Sequence, residues 1–108
     1  MSDKKYWVGF NLVKGVGAVR FRQLLDYFGS AENAWNAPIS AYYTSGLPQK
    51  VIENFTKVKN QVDLDLVMEK INQTGIRLMT WDDSDYPRRL NEIDQSPPVL
   101  YIRGSVLV

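Results

Sequence analysis

Two glycines one residue apart, with cations on either side, hold the densest chemistry in this sequence: Lys14-Gly15-Val16-Gly17, then Arg20 and Arg22. Glycines at that spacing let the backbone turn tightly and remove the side chains that would keep a phosphate away. The N–H groups at the start of a following helix then face an anion, and the helix dipole favours its charge. Lys14, Arg20 and Arg22 would add charge to such a contact. The same Gly-x-Gly also makes any tight corner between two helices, and both readings stand at this point. A second cluster, Asp82, Asp83 and Asp85 before Tyr86-Pro87, has the composition of a Mg²⁺ site. Three acids within four residues are more simply a solvated turn, with Ser84 or Asp85 capping a short helix that Pro87 opens. With no histidine and no cysteine, the commonest general base, the thiol nucleophile and the usual zinc ligands are absent. The sequence reads as non-enzymatic and asks for no metal or cofactor.

Helices must position the Gly-x-Gly corner. Tyr6, Phe10 and Val13 recur at helical spacing before it. Phe21, Leu24, Leu25 and Phe28 follow it at the i, i+3, i+4, i+7 spacing of an amphipathic helix. Gly29 is placed to end that helix, and Ser30 to cap the next, which carries Ala34 and Trp35 before Pro38 stops it. Ile39–Thr44 fits one further helical turn with Ser45-Gly46 as its exit. Pro48 suits the first position of a long helix displaying Val51, Ile52, Phe55, Val58 and Val62. The apolar phase slips near Val62–Leu64, so a break is expected there, with Asp63 capping a last helix that Gly75 ends. Beyond Gly75 the pattern alternates, and Ile76–Trp81 and Val99–Arg103 read as strands.

Leu12 to Leu25 thus pairs an apolar helix end, a Gly-x-Gly hairpin and a second helix packing Ala18, Phe21 and Leu24 inward. That is the pattern of a helix-hairpin-helix DNA-binding unit, which touches phosphates and not base edges and is therefore sequence-independent. A dinucleotide loop is excluded: Arg20 stands where the third glycine of G-x-G-x-x-G belongs, and no acidic residue closes a second strand about twenty positions on. The expected core is Trp7, Phe10, Phe21, Leu24, Leu25, Phe28, Trp35, Val51, Ile52 and Phe55. Trp7, Phe10, Trp35, Tyr42 and Tyr43 are read as core aromatics over the alternative of base-stacking surfaces.

Composition sets the frame. At 108 residues and 44% hydrophobic content there is room for one modest domain and part of a second. The absence of cysteine fits a reducing, cytoplasmic setting. The longest uncharged apolar stretch, Tyr6–Val13, is far too short to span a membrane. Residues 1–60 hold eight Lys/Arg against four Asp/Glu, and residues 61–108 five against eight, so the front is mildly basic and the back acidic. Two short strands do not make a stable sheet. The chain is therefore expected to be a fragment, with a helical domain over 1–75 and the linker and first strands of a truncated α/β domain over 76–108. Unpaired strand edges and the apolar Val106, Leu107 and Val108 would invite self-association.

Tyr86-Pro87, Leu90, Ile93 and Pro97-Pro98-Val99-Leu100-Tyr101-Ile102-Arg103-Gly104 give the sequence a resemblance to the DNA-processing protein A family (DprA/Smf), covering essentially the whole chain as that family's N-terminal region. The resemblance implies a mainly α sterile-alpha-motif-like helical domain joined to a Rossmann-like domain. It implies a protein that binds single-stranded DNA in natural transformation and helps load the RecA recombinase, without catalysis. The family's principal DNA and recombinase surfaces would lie beyond Val108. What carries onto this chain is the hairpin, with Lys14, Gly15, Val16, Gly17, Arg20 and Arg22 as DNA-binding residues. The expected role is an accessory domain with weak DNA contact at most, the alternative being a protein–protein interaction module that does not bind DNA.

Overall fold

The computed structural model describes residues 4–87, 96–104 and 106–107. Six helices come first: α1 (Lys4–Asn11), α2 (Ala18–Phe28), α3 (Ala31–Asn36), α4 (Ile39–Tyr42), α5 (Gln49–Gln61) and α6 (Leu64–Gln73). Three strands follow: β1 (Ile76–Thr80), β2 (Val99–Arg103) and β3 (Val106–Leu107). The short helix expected after Pro87, with Leu90 and Ile93, lies outside the described residues, as does Val108.

Local chemistry ends the helices where the sequence says. Gly29 closes α2 in the left-handed region at φ 93°, its N–H reaching the Leu25 carbonyl, a conformation that penalises any Cβ. The Ser30 hydroxyl accepts from Asn33 N at 3.0 Å and starts α3. The break between α5 and α6 falls at Asp63, whose carboxylate accepts from the amides of Asp65 and Leu66. Pro48 stands one position earlier than expected, capping α5 in an extended conformation.

The core is built on aromatic rings. Phe10 of α1 lies 5.5 Å from Phe21, 5.2 Å from Trp35 and 5.3 Å from Phe55, so one side chain joins four helices. Edge-to-face and stacked pairs at these distances add stability beyond the area they bury. Tyr42 packs on Phe55 with the rings tilted, and its buried hydroxyl donates to the Ala34 carbonyl; burial pushes its phenol pKa up. Trp7, Phe21, Leu24, Trp35, Val51 and Ile52 are buried as expected, while Leu25 and Phe28 pack against this core half-covered. Tyr43 corrects the reading of the aromatics. It is 66% exposed, because one helical residue beyond the inward Tyr42 is a rotation of about 100°.

The strands fall where expected, with one addition at Val106–Leu107. β1 and β2 pair antiparallel, Ile76 opposite Arg103 and Thr80 opposite Val99, and β3 adds to β2. The two expected strands are thus partners of one another, and β3 covers the second edge of β2. Nor is the outer edge of β1 bare: Lys4 Nζ donates to the Leu78 carbonyl and the Asp83 carboxylate accepts from Thr80 N. Charged groups placed on an edge in this way discourage pairing with another chain. The sheet packs on the helices, with Val99 in their core and Trp81 against Trp7 and Phe21. Helix gives way to strand at Gly75, but the apolar cluster continues across it.

Close helix packing yields a stability prediction. A Cβ on Gly9 would sit 2.7 Å from Trp35 Cζ3 and 3.0 Å from Leu64 Cδ2. Gly9→Ala gains about 1 kcal/mol of helix propensity but overpacks the α1–α3–α6 junction by roughly 1–3 kcal/mol. The variant is expected to melt a few degrees below the parent in a circular-dichroism melt; a raised melting temperature would show that the junction yields.

Candidate nucleic-acid interface

The Gly-x-Gly corner connects α1 to α2. Gly15 has φ 98°, in the region open to glycine, and a Cβ there would stand 2.9 Å from Val51 Cγ2. Two requirements therefore meet at Gly15, a left-handed backbone and close approach to α5. Gly17 differs. It caps α2 at φ −89°, and a Cβ there would meet no protein atom within 4 Å. Gly17 opens outward.

Phe21 N is the first amide of α2 held by its own helix, donating to the Gly17 carbonyl at 2.9 Å. The amides of Ala18, Val19 and Arg20 precede it, and no side chain caps them. They border a recess of about 290 Å³ lined by Gly15, Gly17, Ala18, Val19 and Arg20. Arg20 Nη1 donates to the Gly15 carbonyl at 2.8 Å. This contact fixes the guanidinium beside the recess and leaves its other N–H groups available, since arginine carries five donors. A cluster of backbone donors, a helix dipole and a fixed cation is chemistry suited to an oxyanion such as phosphate.

The hairpin is also clamped from a distance. Asn54 of α5 donates through Nδ2 to the Lys14 carbonyl at 2.9 Å. Sequence reasoning missed Asn54, because nothing local marks a residue forty positions away as a partner. Lys14 itself is exposed, and Val16 is half-buried against the core. Arg22 is not gathered with the hairpin. Its guanidinium lies over the Trp81 ring at 4.2 Å, a cation–π contact that follows from standing about 200° round α2 from Arg20. The six expected residues therefore divide: Lys14 to Gly17 and Arg20 form the corner, and Arg22 ties α2 to the end of β1.

The acidic cluster is a turn. Asp83 N donates to the Thr80 carbonyl, and Tyr86 N to that of Asp83. The Asp83 carboxylate also pairs with Lys4 Nζ at 3.1 Å. Among the described residues no group of three His, Cys, Asp or Glu side chains is arranged to hold a metal ion, and no helix is long and apolar enough to cross a membrane.

A small helical module with a donor-lined hairpin corner, backed by an antiparallel sheet, is the class that fold and site define. The chain is similar to Protein Smf of Synechocystis sp. at 39% identity over 104 residues, or 95% of the chain. The resemblance to the DprA/Smf family is thereby shown, and the chain spans 26% of that relative's length. No family model matches the chain. No solved structure matches it either.

Asp83 gives a pH prediction. Partial burial raises its pKa, but the Thr80 amide and the Lys4 ammonium outweigh this and hold it below the ordinary 3.8. A carboxyl depressed on folding stabilises above its unfolded value and loses that contribution as pH falls through the folded one. The parent should therefore be more stable than Asp83→Asn at neutral pH, and the difference should shrink once pH drops below 3.8. Thermal melts across that range test this; a gap independent of pH would remove the charge from the explanation.

Proposed function

We propose that this chain is an accessory, non-catalytic module of a DNA-processing protein and that its hairpin makes weak, sequence-independent contact with DNA phosphates. The corner acts as a helix-hairpin-helix element within a sterile-alpha-motif-like bundle. The observation that carries the reading is the row of uncapped α2 amides at the open Gly17, with Arg20 held beside them by the Gly15 carbonyl. Such donors contact a phosphate wherever it lies in a sequence. The DprA/Smf likeness supplies the setting: a cytoplasmic protein that, as a whole, binds single-stranded DNA in natural transformation and assists RecA loading, with a Rossmann-like domain carrying the strong binding. One feature favours a second reading. Leu12 and Val19 are 46% and 49% exposed beside the corner, apolar flanks that suit a protein partner.

A titration with short DNA at low salt separates the two. Only two or three phosphates reach one corner, so the dissociation constant should be about 10⁻⁴ M or weaker. Binding should weaken with salt at a slope of about −0.7 to −0.9 per phosphate. Amide shifts should centre on Gly15–Arg20. Gly17→Ala should reduce binding while leaving the fold intact, since a Cβ there meets no protein atom within 4 Å and Gly17 lines the recess. Silence at these amides would defeat the DNA reading and leave the protein-partner one.

A further inference from the structure

A backbone corner holds an anion only while its carbonyl oxygens point elsewhere, since an oxygen turned into the recess repels what the amides attract. In the α1–α2 hairpin the carbonyls of Val13, Lys14, Gly15 and Gly17 are all tied. Val13 accepts from Val16 N at 3.2 Å and Gly17 from Phe21 N at 2.9 Å, bonds that the turn and the helix start make by themselves. The two carbonyls between them are held by side chains. That of Lys14 accepts from Asn54 Nδ2 at 2.9 Å, and that of Gly15 from Arg20 Nη1 at 2.8 Å. Consecutive carbonyls are thus secured from two different helices, α5 and α2.

Arg20 lines the recess, and Asn54 does not, so Asn54 acts on a bound anion only through Lys14. One turn earlier α5 meets the hairpin again, where a Cβ on Gly15 would stand 2.9 Å from Val51 Cγ2. Val51 and Asn54 are three apart and share a face of α5. Val51 fixes where the turn sits. Asn54 fixes how the peptide between Lys14 and Gly15 is turned, because rotating that peptide plane swings the Lys14 carbonyl off its donor. Such a rotation changes φ of the second residue, the difference between type I and type II turns. Gly15, now at φ 98°, permits both orientations at little cost. A turn that glycine leaves free to flip needs a lock.

We propose that Asn54 is a positioning residue for the phosphate corner: its bond to the Lys14 carbonyl locks that peptide in the orientation that keeps acceptors off the recess. This rests on the hairpin reading and deepens it with a residue forty positions from the hairpin. Without the bond the hairpin samples both orientations, and the apparent affinity falls with the fraction still in the competent one. An amide–carbonyl bond of ordinary strength shifts such a balance by roughly twofold to tenfold. Arg20 depends on the same lock, since the Gly15 carbonyl that it holds belongs to the next peptide and moves when its neighbour turns.

The test follows the amide signals of the 108-residue chain as inorganic phosphate is added at low salt, for the parent, Asn54→Leu and Asn54→Gln. Leucine keeps the shape of the side chain and removes its donor, whereas glutamine keeps the donor. Asn54→Leu should bind phosphate roughly twofold to tenfold more weakly. Its phosphate-free signals should be displaced at residues 14–20 and unmoved at Phe10, Trp35 and Phe55. Asn54→Gln should recover most of the loss. With a short oligonucleotide, Asn54→Leu should weaken binding and leave the salt slope unchanged, because no cation leaves the corner; a residue that touched phosphate as a charge would change it. The proposal is overturned if Asn54→Leu lowers only the melting temperature and binds phosphate as the parent does, or if Asn54→Gln is no better than Asn54→Leu. The parent keeps the two readings apart. Amides 18–20 that ignore phosphate there defeat the hairpin reading and this one with it, while a responsive parent matched by Asn54→Leu removes Asn54 alone.

Discussion

Phe10 is the constraint from which the rest of the structure follows. Its ring meets Phe21, Trp35 and Phe55 at once, so α1 must cross α2, α3 and α5 within one ring's reach. A helix drawn in that closely leaves little room at its surface, which is why Gly9 lies against Trp35 and Leu64. The same crossing forces the chain to reverse within the few residues between Asn11 and Ala18. The hairpin is a consequence of core packing before it is anything else.

A corner formed under that constraint has two sides. Its inner side is consumed by structure: Gly15 fits against Val51, Val16 packs on the core, and Asn54 takes up the Lys14 carbonyl. Its outer side keeps three backbone donors with no intrahelical acceptor. The structural and phosphate readings of Gly-x-Gly are therefore compatible, since each glycine serves a different one. Arg20 links them, because the contact that steadies the turn also fixes a cation beside the free amides.

The sheet completes the module without leaving β1 exposed as a template. Lys4 serves both the Leu78 carbonyl and the Asp83 carboxylate, joining the first helix to the far end of β1. Arg22 on Trp81 makes a second tie between helix and strand. Both use charges that the sequence offers equally well to solvent or to a ligand, and both withdraw them from the hairpin.

Much of the helical part was legible because its causes are local. Gly29, Ser30, Asp63 and Gly75 act on backbone within a turn of themselves, so composition and spacing decide where helices stop. The rings of the core were readable from period alone, and so was the hairpin. What period does not encode is which neighbour a side chain meets. Tyr42 and Tyr43 are the same residue in adjacent positions, and only the angle of α4 against α5 buries one and exposes the other. Asn54 reaches Lys14 across forty positions, Arg22 reaches Trp81 across nearly sixty, and β1 pairs with β2 across a connection whose length says nothing of register. These were decided by tertiary structure, because a contact between distant residues depends on the placement of whole helices, and that placement is set by the summed packing of the core.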